Sequence, residues 1–168
     1  MNTTKRTEIS TVGEFGLIEL ITKDIESANR ESVKGIGDDA AILQFEEGDE
    51  VTCTWTPTEN FQSWISTLHG GIQATLLDET CGWLVSRKCQ LAGMTTQLNV
   101  KYKKPVLING TPLEVRTKIK EIKRSFVLID CQLLQGGEIC STAEATFFCF
   151  SKEKSINDFH FQPFEVEE

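Results

Sequence analysis

The sequence predicts an α+β fold in which one long helix is wrapped by an antiparallel sheet. Three observations carry this expectation. From about Gly70 to Lys88 the chain has helical periodicity. Ile72, Leu76, Leu77, Cys81, Leu84 and Val85 cover most of the circumference, the pattern of a helix buried on several sides. Four strand-like runs follow: Thr95 to Lys103, Leu113 to Ile122, Ser125 to Gln135, and Glu138 to Phe150. The turns between them hold Asn109-Gly110, Lys123-Arg124 and Gln135-Gly136-Gly137. Asn-Gly and Gly-Gly are strong hairpin signals, so the four strands are expected to form a meander. The run from Ser125 alternates only in part, which predicts a strand buried on both faces.

Ahead of the helix, the segments from Ala40 to Phe45 and Val51 to Trp55 read as strands joined by the acidic turn Glu46 to Glu50. Between Pro57 and Ser66 lies a loop that carries Phe61, Trp64 and Ile65. It is too apolar for a solvated connection, so these side chains are expected to line a pocket or pack on the helix. Before all of this, Glu14 to Glu26 has Leu17, Ile18, Ile21 and Ile25 along one face of an amphipathic helix. One long helix followed by a four-strand meander, with a strand or hairpin in front, is the pattern of a hotdog fold.

With 168 residues the chain has room for one domain of ordinary size and a substantial core. The division expected is an N-terminal extension over residues 1–40, the α+β domain over 41–151, and an acidic tail over 152–168. A net charge of −8 argues against nucleic acid as a general partner. Nothing approaches 18 consecutive apolar residues, and Met1-Asn2-Thr3-Thr4-Lys5-Arg6 lacks the apolar stretch of a signal peptide. A soluble, cytoplasmic protein without a membrane partner is expected. The six cysteines include no C-x-x-C pair and fall mostly inside apolar runs, so buried reduced thiols are expected, with no metal site and no cofactor.

The chemistry concentrates in His69-Gly70-Gly71-Ile72-Gln73-Ala74-Thr75-Leu76-Leu77-Asp78-Glu79. Two glycines let the backbone come close to a ligand with no side chain in the way. The N–H groups that open a helix lack intrahelical acceptors and carry the positive end of its dipole, so they can polarise a carbonyl oxygen or hold an oxyanion. Asp78 follows His69 by nine residues, about two and a half turns. A carboxylate on an otherwise apolar helix needs a reason to be there. Against this stands a structural reading of Asp78 as a salt-bridged acid, with Glu79 as the working group instead.

Two resemblances follow from these motifs. The string H-G-G-x-x-A-x-x-x-D-E from His69 to Glu79, with Asn99-Val100-Lys101-Tyr102-Lys103-Lys104-Pro105 later, resembles the hotdog acyl-CoA thioesterases of the phenylacetic-acid-degradation type. The likeness spans about residues 42–150 and implies hydrolysis of an acyl- or aryl-coenzyme A. By that resemblance Asp78 either activates the hydrolytic water or attacks the thioester carbonyl, and Gly71 or Gly70 supplies the backbone donor that polarises it. His69 orders the loop or touches the thioester, and Thr95 positions the water. The family's Asn or Gln stands six residues before the histidine. Here Ser63 holds that place, beside Asn60 and Gln62, and Gln62 is the better candidate for the second polar group, with Trp64 among the substrate-binding residues. Lys103, Lys104, Lys123 and Arg124, with Lys101, look like a dense basic cluster for the phosphates of coenzyme A, or else a solvated strand face. The resemblance also implies a homodimer or tetramer, with each site shared between two protomers.

The other likeness is local. Gly13-Glu14-Phe15-Gly16-Leu17-Ile18 and then Gly35-Ile36-Gly37-Asp38-Asp39-Ala40-Ala41 resemble the opening of bacterial thiamine-monophosphate kinases, whose paired aspartates help hold magnesium. Two adjacent carboxylates without phosphates or further oxygens bind a hard cation weakly, so this segment is expected to carry no kinase activity. Two other readings fit the α+β domain. A hydroxyacyl-carrier-protein dehydratase would bind a similar thioester, but the Gly-Gly after His69 argues against it. A non-catalytic domain that binds acyl-CoA or acyl carrier protein would share every feature except turnover.

Overall fold

The structure is a computed structural model that describes residues 42–45 and 50–163. The amphipathic segment Glu14 to Glu26, the motif Gly35 to Ala41 and the acidic turn at 46–49 lie outside the described residues. The chain divides into two compact units, Met1–Leu43 and Gln44–Glu168.

Six strands and one long helix make up the described architecture. They are β1 (Ile42–Phe45), β2 (Glu50–Trp55), α1 (Gly70–Cys89), β3 (Gly93–Tyr102), β4 (Leu113–Lys123), β5 (Phe126–Gln135) and β6 (Glu138–Cys149), followed by the short helix α2 (Lys152–Asn157). The sheet order is β1-β2-β4-β5-β6-β3, and the β2–β4, β4–β5, β5–β6 and β6–β3 pairs are antiparallel. Helix α1 packs against β2, β3, β4, β5 and β6. A sheet curled around one helix in this way is the hotdog fold.

The helix starts and stops where its chemistry dictates. His69 is the N-cap, its Nδ1 accepting the Gly71 N–H at 2.9 Å. At the other end Gln90 takes the left-handed conformation (φ 53°), and Arg87 and Lys88 face the negative end of the dipole. Gln73, Leu76, Leu77, Thr80, Cys81, Leu84 and Val85 are buried, a stripe at spacings of three and four that faces the sheet. Leu77, Cys81 and Leu84 are wholly inaccessible, as are Val51 and Leu133 on the strands. The one hydroxyl in the stripe is satisfied, since Thr80 Oγ1 donates to the Leu76 carbonyl at 2.7 Å. The burial is therefore narrower than the sequence suggested. It is one stripe with half-buried flanks rather than most of the circumference, because the sheet covers the helix from one side.

Two strand expectations change as well. Strand β5 is not buried on both faces: Val127, Ile129, Cys131 and Leu133 are buried, whereas on the other face Phe126, Asp130 and Gln132 are exposed and Leu128 is half-buried. No second layer covers the outer face among the described residues. It carries exposed ion pairs instead, Lys118–Glu50 at 2.8 Å and Lys120–Asp130 at 3.4 Å. Nor is the meander four-stranded. Strands β4, β5 and β6 follow one another, but β3 lies at the far edge beside β6. Asn109-Gly110 is thus a turn inside the long crossover from β3 to β4, with Gly110 at φ 81° and Asn109 Oδ1 accepting the Thr111 N–H. The Gly136-Gly137 turn is a true two-residue hairpin loop, both residues at positive φ (58° and 82°).

The stretch expected as a tail begins with structure. Ser151 caps α2, and buried Ser155 accepts the Ala92 N–H on its Oγ at 3.0 Å. Phe161 is buried as well, its N–H donating to the Ser155 carbonyl. All six cysteines are free thiols, five buried and Cys89 half-buried.

Because Leu77 has no exposed surface and sits at the centre of the helix stripe, Leu77→Ala should cost about 3 kcal/mol, a transfer loss plus an unfilled cavity. Urea unfolding followed by circular dichroism measures it. A loss under about 1 kcal/mol would mean that the core collapses around the gap.

Candidate functional site

Helix α1 carries two chemical features on one rod. Asp78 lies on the flank of the buried stripe and is half-buried. Its Oδ1 accepts a hydrogen bond from Thr95 Oγ1 at 2.9 Å. Burial pushes the Asp78 carboxyl above its usual range, and the Thr95 hydrogen bond pulls part of the way back. Thr95 reaches it because of a bulge. Thr95 pairs with Phe147 and Gln97 with Thr146, so Thr96 is an extra residue in β3, its hydroxyl turned to the Thr146 carbonyl. That extra residue shifts the alternation, so Thr95 before it and Leu98 after it both stand opposite inward-facing residues of β6. Glu79, the other acid considered, is exposed on the next helix position.

The second feature is the helix start. The Gly71 N–H is taken by His69 Nδ1, and the Tyr102 hydroxyl donates to the Gly70 carbonyl at 2.8 Å. The room left by the two glycines is used within the chain. A Cβ on Gly71 would fall 2.9 Å from His69 Nδ1, and one on Gly70 would fall 3.4 Å from the Tyr102 ring. Since Nδ1 is an acceptor, the proton of the neutral imidazole sits on Nε2, and exposed His69 offers an N–H donor outward. Seven residues separate Gly71 from Asp78, about 10 Å along the axis at 1.5 Å per residue. That is too far for both to touch one carbonyl group.

The remaining candidates lie away from Asp78 in different ways. Gln62 and Ser63 form a tight turn, where Gln62 Oε1 accepts the Ser66 N–H and Ser63 Oγ donates to the Thr67 carbonyl. Trp64 and Ile65 stand at its tip, 81% and 92% exposed, and so line no pocket within the chain. Phe61 alone of the three is buried, edge-on to Trp55 at 5.5 Å. Sequence proximity misled for the basic residues. Lys103 and Lys104 donate their backbone N–H groups to the Cys140 carbonyl, and Lys104 pairs with Glu138. Lys123 pairs with Glu121 at the other end of the sheet, and Arg124 occupies the β4–β5 turn at φ 55°. Cys149 of β6 bonds to Ser125 at that end. Nine strand residues from Cys140 to Cys149 span about 30 Å, so there is no single basic cluster. Among the described residues no three His, Cys, Asp or Glu side chains gather as a metal site would need. No described helix is long and apolar enough to cross a membrane.

Two residues quoted in the sequence motifs were given no contact there. Tyr102, the chain's one tyrosine, has a backbone carbonyl as its partner, which the motif does not mark. Gln73 is buried, with Nε2 directed at the Leu68 carbonyl at 3.4 Å and Oε1 without a partner.

The thioesterase superfamily model matches residues 66–142, which span both Asp78–Thr95 and the His69–Tyr102 region. Among solved structures, a Streptococcus mutans protein bound to acetyl-CoA is 21% identical, covering 74% of this chain and 98% of its own with a TM-score of 0.62. A hypothetical thioesterase from Streptococcus pneumoniae, solved with coenzyme A, is 22% identical over 66% of this chain and 88% of its own, TM-score 0.60. That protein has also been solved with an aspartate-to-alanine and with a threonine-to-alanine substitution. A phenylacetic acid degradation-related protein from Ralstonia eutropha is 21% identical over 64% of this chain and 83% of its own, TM-score 0.59. No curated protein matches the chain.

The raised carboxyl has a consequence for stability. An Asp whose folded pKa exceeds its unfolded one costs nothing below the unfolded value and its full penalty above the folded value. Asp78→Asn removes that penalty and keeps an acceptor for Thr95. The urea midpoint should therefore rise at pH 7, with the gain vanishing below about pH 4. A variant less stable than wild type at pH 7 would mean that the ionised carboxylate is held by favourable partners.

Proposed function

We propose that the chain hydrolyses the thioester bond of an acyl- or aryl-coenzyme A, with Asp78 as general base or nucleophile. The observation that supports this most is the half-buried Asp78 carboxylate, held by Thr95 on the same helix that His69-Gly70-Gly71 opens. A carboxylate whose pKa is raised by burial is a stronger base than one in water, which suits proton abstraction from water. In the water route, the attacking oxygen bonds to the carbonyl carbon while Asp78 takes its proton. The oxyanion then collapses, the C–S bond breaks and the coenzyme A thiolate leaves. Thr95 fixes the carboxylate and leaves Oδ2 for the water. The acetyl-CoA of one streptococcal structure, the coenzyme A of the other and the superfamily match agree with this substrate class.

The polarising group comes from a second protomer in this reading. About 10 Å of helix separates Asp78 from its own Gly71, so a partner's helix start has to meet Asp78 across an interface. What that start offers is the dipole end, the Gly70 N–H, which has no intrahelical acceptor by position, and the Nε2–H of His69. The Gly71 N–H is engaged by the imidazole. A homodimer is the minimal active unit on these grounds, and a tetramer would be two such dimers. Lys103 and Lys104, which follow Tyr102, lie at the helix-start end and are the better placed pair for coenzyme A phosphates than Lys123 and Arg124.

Asp78→Asn should lower kcat on an acyl-CoA panel by about a hundredfold or more while the circular dichroism spectrum stays unchanged. In wild type, kcat should fall on the acidic side with a midpoint above the usual carboxylate range, because the base form is lost as pH drops through a raised pKa. Thr95→Ala removes the bond that lowers this pKa, so its acidic limb should move to higher pH. An inactive wild type that still binds acyl-CoA would favour a non-catalytic binding domain.

Shared sites predict complementation. Asp78→Asn and Gly71→Pro chains, unfolded and refolded together, should regain about a quarter of wild-type activity, since half the random dimers are mixed and each has one intact site. No recovery, with mixed dimers shown to form, would place each site within one chain.

A further inference from the structure

The two hydrogen bonds at the helix start act on a single peptide group. The Gly70 carbonyl and the Gly71 N–H belong to the same planar amide. Tyr102 donates its hydroxyl to the oxygen at 2.8 Å, and His69 Nδ1 accepts from the N–H at 2.9 Å. An amide normally swings about its flanking torsions, and two glycines give it the widest freedom to do so. Here it is held at both ends by side chains from opposite directions, one from β3 and one from the residue before the helix. The Tyr102 ring also lies against Gly70, close enough that an added Cβ would meet it at 3.4 Å. The glycines thus give up their freedom to two aromatic neighbours.

We infer that Tyr102 is a positioning residue of the candidate site, fixing the Gly70–Gly71 peptide and through it the ring of His69. The chain of contacts runs from the Tyr102 hydroxyl to the peptide oxygen, through the amide plane to its N–H, and on to Nδ1. Holding Nδ1 as an acceptor keeps the imidazole proton on Nε2, where it points away from the helix as a donor. A hydrogen bond accepted at one ring nitrogen polarises the donor at the other, so the helix dipole reaches outward through the imidazole. Without the Tyr102 hydroxyl the Gly70 carbonyl keeps only its place in the helical ladder, and the amide is freer to tilt its N–H away from Nδ1. The donor then loses its fixed direction, although nothing that touches the substrate has been removed. The link to turnover rests on the thioesterase reading, while the hold on the peptide does not.

Tyr102→Phe tests both parts, since it keeps the ring over Gly70 and removes only the hydroxyl. Tyr102 is 54% exposed, so the fold should persist, as checked by circular dichroism. The first readout needs no substrate. Solvent exchange of the Gly71 amide, followed by nuclear magnetic resonance in the full chain, should speed up about fivefold or more in Tyr102→Phe, and likewise in His69→Ala. An unchanged Gly71 exchange rate in Tyr102→Phe overturns the inference. The second readout is kinetic. With an acyl-CoA that wild type hydrolyses, kcat should fall about tenfold with KM within about twofold, and the acidic limb set by Asp78 should stay where it is. An unchanged kcat, or a displaced acidic limb, removes the positioning role. A wild type inactive on every acyl-CoA sinks the thioesterase reading, and the exchange rates alone then decide whether Tyr102 holds the peptide.

Discussion

Burial of one stripe of α1 against five strands is the constraint on which the rest of this structure depends. Leu77, Cys81 and Leu84 can leave water only if the sheet curls toward them, and the strands can cover their inward residues only if the helix fills the curl. Neither half is stable without the other, because an open sheet with Val115, Ile129 and Leu133 on one face would expose a continuous apolar surface. The charged outer face of the sheet follows from the same arrangement. Its ion pairs are exposed and contribute little, so they mark the side turned to water rather than a source of cohesion.

That packing also sets the chemistry. A helix clamped by its stripe cannot rotate, so its flank position presents Asp78 to β3 in one orientation. The bulge at Thr96 then decides which β3 side chain answers. In an unbulged strand, inward-facing Leu98 and Val100 would place Thr95 on the outer side, away from the carboxylate. One extra residue makes an apolar lining and a hydroxyl ligand compatible on the same strand. Strand β3 does this twice, since its last residue, Tyr102, reaches the helix start. The edge strand of the sheet is thus the element that touches both chemical features of α1.

What was legible in the sequence was mostly periodic or local. The helix limits followed from His69-Gly70-Gly71 and the three-four spacing, and the two-residue turn from Gly136-Gly137. Asn109-Gly110 misled because a turn signal says that the chain reverses, not which strands become neighbours. Here the strand before it belongs beside β6, at the far edge. The basic residues misled for the same reason: Lys104 and Lys123 are 19 positions apart in sequence but at opposite ends of a strand's length. Trp64 and Ile65 read as lining because they are apolar, yet a tight turn has no interior. The bulge left no mark in the residue pattern, and the partner of Tyr102 is a backbone oxygen, which every residue has.

The glycine pair shows how a correct motif can carry a different cause. Read alone, Gly70-Gly71 signals room for a ligand against bare backbone. The room is there, but the His69 imidazole and the Tyr102 ring occupy it. A side chain at position 71 would crowd the imidazole against its amide, whereas a Cβ at 70 would sit in ordinary contact with the tyrosine ring. Internal contacts therefore account for a glycine at position 71 before any ligand is considered. A substrate carbonyl at this helix start would meet the outer edge of an imidazole whose inner edge is already bonded. The dipole of α1 would act on it at one remove, through a ring whose direction depends on a strand residue 33 positions later in the sequence.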